Sequence, residues 1–97
     1  MSEHDEFRDA MAIKADAEEI QLAMAKIVSE MPQRHDRIIQ GLSKALRGHP
    51  MPLCLAALAD ALSSSLTGME AGERAAIMLA FSTATLQMAA IRDEVVH

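Results

Sequence analysis

The sequence predicts an all-α protein, a bundle of four helices in the order long, short, short, long. Apolar residues make up 51% of the 97-residue chain and are mostly Ala, Leu, Ile and Met, with two Phe and no Trp or Tyr. Ala, Leu and Met favour helices, whereas strands are rich in β-branched and aromatic residues. The apolar residues also recur every three or four positions. We therefore expect helices at about 3–30, 33–47, 52–66 and 70–95 in a single domain, 1–97.

The first predicted helix, at about residues 3–30, carries one long apolar stripe. At about 40 Å it is long for so small a domain, and we expect it to pair along its length with the last helix. Ile13, Ile20 and Ile27 repeat at the heptad spacing of a helix seam, and we predict that they form part of a dimer interface. The whole stripe consists of Phe7, Ala10, Ile13, Ala17, Ile20, Met24, Ile27 and Met31.

Pro32 is expected to end the first helix, because a proline disfavours the helical conformation of the residue before it. The helical spacing of the apolar residues nevertheless continues past the proline, through Met31, Ile38, Leu42 and Ala45. A single helix that is kinked at Pro32 is therefore the alternative to a break.

The second predicted helix, at about residues 33–47, separates apolar from basic residues. Ile38, Leu42 and Leu46 face one side, and Gly48 is placed to cap the C-terminus. The basic side can bind an acidic partner, although an ordinary solvated face explains the same pattern. We predict a partner-binding surface that consists of Arg34, Arg37, Lys44 and Arg47.

Two prolines make the next connector stiff, since each fixes φ and lacks an amide donor. This connector is His49-Pro50-Met51-Pro52, and the third helix is expected to follow at about residues 52–66. Thr67-Gly68 is expected to end that helix. The fourth helix, at about residues 70–95, begins near Glu70 and Glu73, which suit the positive end of its dipole.

The fourth helix has apolar residues on two opposite sides and no charge between Arg74 and Arg92. Such a helix must be covered twice. We expect it to be the centre of a bundle or the seam between two copies, with Leu79 and Leu86 in the dimer interface. One stripe consists of Ile77, Phe81, Ala84, Met88, Ile91 and Val95, and the other of Ala75, Leu79, Ser82, Leu86 and Ala89.

Charge and composition argue against several classes of protein. The net charge is −5 and no Trp or Tyr is available for stacking, so we expect no binding to nucleic acid. The lone cysteine forms no internal disulfide, and the acidic N-terminus does not resemble a secretory signal. The uncharged run of 17 residues in the fourth helix is shorter than the roughly 20 that span a membrane. We expect a cytoplasmic protein that binds no membrane.

No set of residues matches a catalytic or metal-binding motif. Cys54 and His49 could form a nucleophile and base, but no acid nearby in sequence would orient the pair. Glu94 and His97 have the spacing of a di-metal bundle, which requires a second such motif and two further Glu residues. We therefore predict no enzyme, no cofactor and no metal.

By elimination, the sequence favours a small helical protein–protein interaction module, a regulator, adaptor or inhibitor that acts as a homodimer and binds another protein. The reason is an excess of apolar helix faces over what one small core can cover. The alternative is a ligand- or metal-binding helical bundle. It would use the histidines or the polar positions of the fourth helix, namely His4, His35, His49, His97, Ser82, Thr85 and Gln87.

Overall fold

The computed structural model describes the backbone of residues 3–96 and the side chains of residues 8–95. Four α-helices follow one another: α1 (Glu3–Glu30), α2 (Pro32–Leu46), α3 (Met51–Leu66) and α4 (Ala71–Val96). No strand occurs within residues 3–96. The prediction of an all-α bundle of four helices is confirmed, and every helix end lies within one residue of its expected position.

The chain divides into two compact units. The end unit combines both termini, Met1–Ala25 with Met69–His97, and the middle unit is the continuous segment Lys26–Gly68. The two units also differ in net charge. The end unit has eleven acids and four bases, a net −7, whereas the middle unit has three acids and five bases, a net +2.

In the end unit, α1 packs against α4, as the sequence analysis predicted. The buried apolar side chains of the described region are all alanines: Ala17 is 3% exposed, Ala76 1% and Ala80 0%. Ile13 and Ile20 of the predicted α1 stripe are half-buried beside Ala17, while the side chain of Phe7 lies outside the described residues. Small side chains allow the two helix backbones to approach closely.

The contact face of α4 differs from the two stripes expected for it. Ala76, Ala80 and the half-buried Thr83 recur at steps of four and three residues, and this line falls between the two stripes. Phe81 of one stripe and Leu86 of the other remain exposed. The helix is thus covered on one side within the chain. Ile77, next to that contact, is half-buried, whereas the other large apolar residues of the two stripes stay open to solvent.

The break between α1 and α2 occupies a single residue. Met31 has φ −130° and ψ 55°, outside the helical region, and Pro32 begins α2. The amide of Met31 donates to the carbonyl of Ile27 over 2.9 Å, and the amide of His35 donates to the carbonyl of Met31 over 3.1 Å. The predicted break is confirmed, because proline restricts the preceding residue and is well tolerated in the first helical turn.

Gly48 and Gly68 follow α2 and α3 with positive φ values of 81° and 86°. An L-residue in this left-handed region is disfavoured by about 1–2 kcal/mol. We therefore expect Gly48→Ala and Gly68→Ala each to lower the free energy of unfolding by about that amount, measured by urea denaturation. Ser65→Ala is the control: Ser65 is an exposed residue of α3, where alanine is the better helix former, so this substitution should raise stability by up to about 0.5 kcal/mol. Equal effects at all three positions would contradict this account.

α4 is the described helix that is long and apolar enough to cross a membrane. The segment Ala71–Val95 reaches a mean hydropathy of 1.3. A core helix of a soluble protein meets the same criterion of length and composition. One helix of this kind is therefore weak evidence for a membrane span.

Candidate interaction surface

Three of the four predicted partner-binding residues lie together on α2 and its C-cap, Arg47. Arg37, Lys44 and Arg47 line one shallow groove of about 470 Å³ along this helix, and Ile39 and Gly41 lie among them. All three basic side chains are exposed, and none forms an ion pair within the described part of the chain. We call these three residues the basic ridge. Unpaired, exposed guanidinium and ammonium groups of this kind suit a carboxylate or another anion.

Arg34 does not belong to the basic ridge. Its guanidinium Nη1 lies 3.9 Å from the Sδ atom of Met31, and it borders a separate, mostly apolar groove of about 290 Å³. That groove is also lined by Ile27, Val28 and Ile38, around the break between α1 and α2. The four basic residues that the sequence analysis grouped thus divide between two surfaces, one charged and one apolar.

Large apolar side chains remain exposed on α2 and along α3. Ile38 is 62% exposed. On α3, Cys54, Leu62 and Leu66 are the half-buried residues, and the rest of the helix is exposed. The exposed apolar residues of the two helices are Ile38, Ile39, Leu42, Met51, Leu53, Leu55 and Leu58.

The residues predicted for the dimer interface occupy two kinds of environment. Ile13 and Ile20 are half-buried in the α1–α4 pair of one chain, so they can offer less surface to a second copy. Ile27, Leu79 and Leu86 are exposed, and Leu86 is 72% exposed. The last three are free to contact a second copy, and their role in a dimer stays a prediction.

The sequence analysis did not identify an acidic surface in the end unit. Two neighbouring grooves of about 500 and 520 Å³ share Asp16 and Glu73. Glu19 borders the first, and Asp9 and Glu70 border the second. All five carboxylates are exposed. The signal available in the sequence was the seven-residue step from Asp9 to Asp16, which places two acids on one side of α1.

The thiol of Cys54 forms hydrogen bonds with backbone carbonyls, which indicates a structural role. Its Sγ atom donates to the backbone carbonyls of Leu46, at 3.5 Å, and His49, at 3.7 Å. The contact with His49 is through its carbonyl oxygen, and the hydrogen bonds tie the start of α3 to the end of α2. A half-buried cysteine in this setting acts as a small packing residue.

Other candidate groups form no recognisable centre in the region that the structure covers. Within the described residues, no three His, Cys, Asp or Glu side chains are placed to hold a metal ion. The side chains of His4 and His97 lie outside the described residues. In α4, Ser82 donates to the carbonyl of Leu79 over 3.1 Å and Thr85 to that of Phe81 over 2.7 Å, so both hydroxyl protons already have acceptors in their own helix.

Comparison of the chain with models of protein families, with curated proteins and with solved structures finds no match.

Proposed function

We propose that this protein is a small helical protein–protein interaction module of the cytoplasm, a regulator, adaptor or inhibitor that acts as a homodimer. The observation that carries the proposal is the contrast between what is buried and what is exposed. The buried apolar side chains of residues 8–95 are three alanines, whereas nineteen large apolar side chains are exposed. Exposed apolar surface of this extent is characteristic of a protein that binds other proteins.

The energetics of burial favour the same function. Burying a Leu, Ile, Phe or Met side chain contributes about 1.5–3 kcal/mol, and an alanine offers far less surface. Among residues 8–95 the fully buried side chains are alanines, which gain little from packing within the chain, while most of the large apolar residues still contact water. Association with a second copy would remove many of them from water and stabilise both chains.

Both units carry this surface, which suits two kinds of contact. Ten of the nineteen exposed residues belong to the middle unit and nine to the end unit. A twofold contact between copies can cover part of them. The remainder is then available to a different protein, as an adaptor or inhibitor requires.

Enzymatic activity and membrane insertion have less support. The described residues show no metal-ligand cluster, and Cys54 contacts backbone carbonyls rather than a base. In α4, the polar residues Ser82, Thr83, Thr85 and Gln87 interrupt the apolar run. The uncharged segment of 17 residues is also shorter than the roughly 20 that a spanning helix needs.

Light scattering coupled to size-exclusion chromatography tests the proposal. At tens of micromolar we expect a single species of twice the 10.5 kDa chain mass, recovered from the soluble fraction without detergent. A monodisperse monomer that binds no hydrophobic dye would contradict the proposal. So would recovery of the protein only in membranes.

A further inference from the structure

Two lines of opposite charge on different helices have the same spacing. The basic ridge, which consists of Arg37 and Lys44 on α2 and Arg47 at its C-cap, has steps of seven and three residues. On α1, Asp9, Asp16 and Glu19 have the same two steps in the same order, and we call them the acidic line. Successive helical residues are about 100° apart, so each set lies within an arc of about 80°. All six side chains are exposed.

The shared spacing defines a register between the two helices. If α1 and α2 lie side by side and parallel, a constant offset of 28 residues places Asp9 opposite Arg37, Asp16 opposite Lys44 and Glu19 opposite Arg47. The three pairs extend over about 15 Å of helix. If the two helices were antiparallel, Asp9 would face Arg47 and Glu19 would face Arg37. Asp16 would then face Gln40 instead of a base. The parallel arrangement is the one that pairs every charge.

A parallel arrangement requires two chains. Within one chain, α1 and α2 are consecutive helices joined at the single residue Met31, and consecutive helices with so short a connection can lie side by side only antiparallel. The acidic line of one copy can, however, lie beside the basic ridge of another. A twofold axis then produces the same contact twice. The net charges of −7 on the end unit and +2 on the middle unit also favour contact between unlike units.

A glycine on each surface leaves space for a close contact. Gly41 lies beside the basic ridge, and Gly72 lies between Glu70 and Glu73 next to the acidic line. A Cβ atom added at either glycine would meet nothing within 4 Å in the chain. At Gly41, in the interior of α2, glycine is about 1 kcal/mol less favourable than alanine, and packing within the chain does not account for it. A neighbouring helix that approaches closely would benefit from the missing side chain.

We infer that a second copy of this chain binds the basic ridge through its acidic line, with α1 and α2 of different copies parallel and in the register 9–37, 16–44 and 19–47. This inference rests on the proposed homodimer and specifies one of its contacts. Exposed ion pairs contribute little energy each, so the six pairs of the twofold dimer set its orientation and partner choice, while the apolar surface supplies the affinity.

A charge exchange between two variants tests the register. The first variant carries Arg37→Glu, Lys44→Glu and Arg47→Glu, and the second carries Asp9→Lys, Asp16→Lys and Glu19→Lys. Each variant alone would place like charges opposite each other, so we expect each to be monomeric by light scattering where the natural chain is dimeric. Mixed in equal amounts, the two should form a heterodimer, because both contacts then join opposite charges.

Lys14→Glu, Lys26→Glu and Arg92→Glu together are the control for the first variant. This control has the same change in net charge, from −5 to −11, but leaves the ridge intact and should stay dimeric. A first variant that stays dimeric would overturn the inference and leave the proposed homodimer standing. Two monomeric variants that fail to combine would overturn it as well. A natural chain that is itself monomeric would contradict both proposals.

Chemical cross-linking supports the test even if a triple variant folds poorly. In a Cys54→Ser background, a chain with Asp16→Cys is mixed with a chain carrying Lys44→Cys and treated with a short bismaleimide. We expect a covalent heterodimer, with at least tenfold less product when Glu18→Cys replaces Asp16→Cys, since residue 18 faces another side of α1. Equal yields from the two cysteine positions would contradict the register.

Discussion

Ala80→Glu is expected to unfold the end unit. Ala80 is fully buried in α4, the helix that packs against α1, and a carboxylate placed there without a partner would cost at least about 3 kcal/mol. For a domain of this size each kcal/mol lowers the Tm by about 4–8 °C, so the Tm should fall by at least about 12 °C. Helical circular dichroism followed during heating measures the change.

Ala90→Glu is the matched control for this prediction. Ala90 is an exposed alanine of the same helix, and a charge there remains in water, so its Tm should change by no more than a few degrees. If both variants melted together near the natural Tm, Ala80 would not lie at the α1–α4 contact. If both lost their helicity, the effect would come from the added charge in α4 rather than from burial.

Leu86→Glu is expected to separate the dimer into folded monomers. Leu86 is 72% exposed in the single chain, so glutamate there costs the isolated fold little. In a twofold interface the substitution occurs twice, and each loss of a buried leucine costs about 1.5–3 kcal/mol. The dissociation constant should therefore rise at least about 100-fold, measured by light scattering over a dilution series. The helical signal should stay unchanged.

Val95→Glu provides a control of similar chemistry and exposure. Val95 is 81% exposed and lies on α4 about 180° around the helix from Leu86. We expect this variant to dimerise with a dissociation constant within a few-fold of the natural one. A Leu86→Glu protein that dimerises normally would show that the Leu79–Leu86 stripe is not in the interface. Equal weakening by both substitutions would indicate association without a defined surface.

The ends of the helices could be predicted from the sequence because local chemistry sets them. Pro32 restricts Met31, and Gly48 and Gly68 supply the positive φ values that follow α2 and α3. These signals act over a few residues and need no knowledge of the rest of the fold. The contact face of α4 could not be predicted in this way. Large apolar residues dominate any pattern, whereas the residues that are fully buried in α4, the helix that packs against α1, are the small Ala76 and Ala80.

The candidate surface was predicted in part. Arg37, Lys44 and Arg47 form one groove as their spacing indicates, but Arg34 lies nearer the apolar side of α2 and contacts Met31. The acidic surface was missed, because its carboxylates come from both ends of the chain. Acids along α1 alone suggest a solvated helix. They become a surface only when Glu70 and Glu73 of the end unit lie beside them.

The division of the chain has a consequence for the order in which it folds during synthesis. The middle unit is one continuous segment, Lys26–Gly68, so all its contacts can form once those residues have left the ribosome. The end unit needs Met1–Ala25 together with Met69–His97. Its contacts join residues far apart in the chain, and such contacts form slowly. α1 is therefore made first, and Ile13, Ala17 and Ile20 stay uncovered until the first turns of α4 have been made.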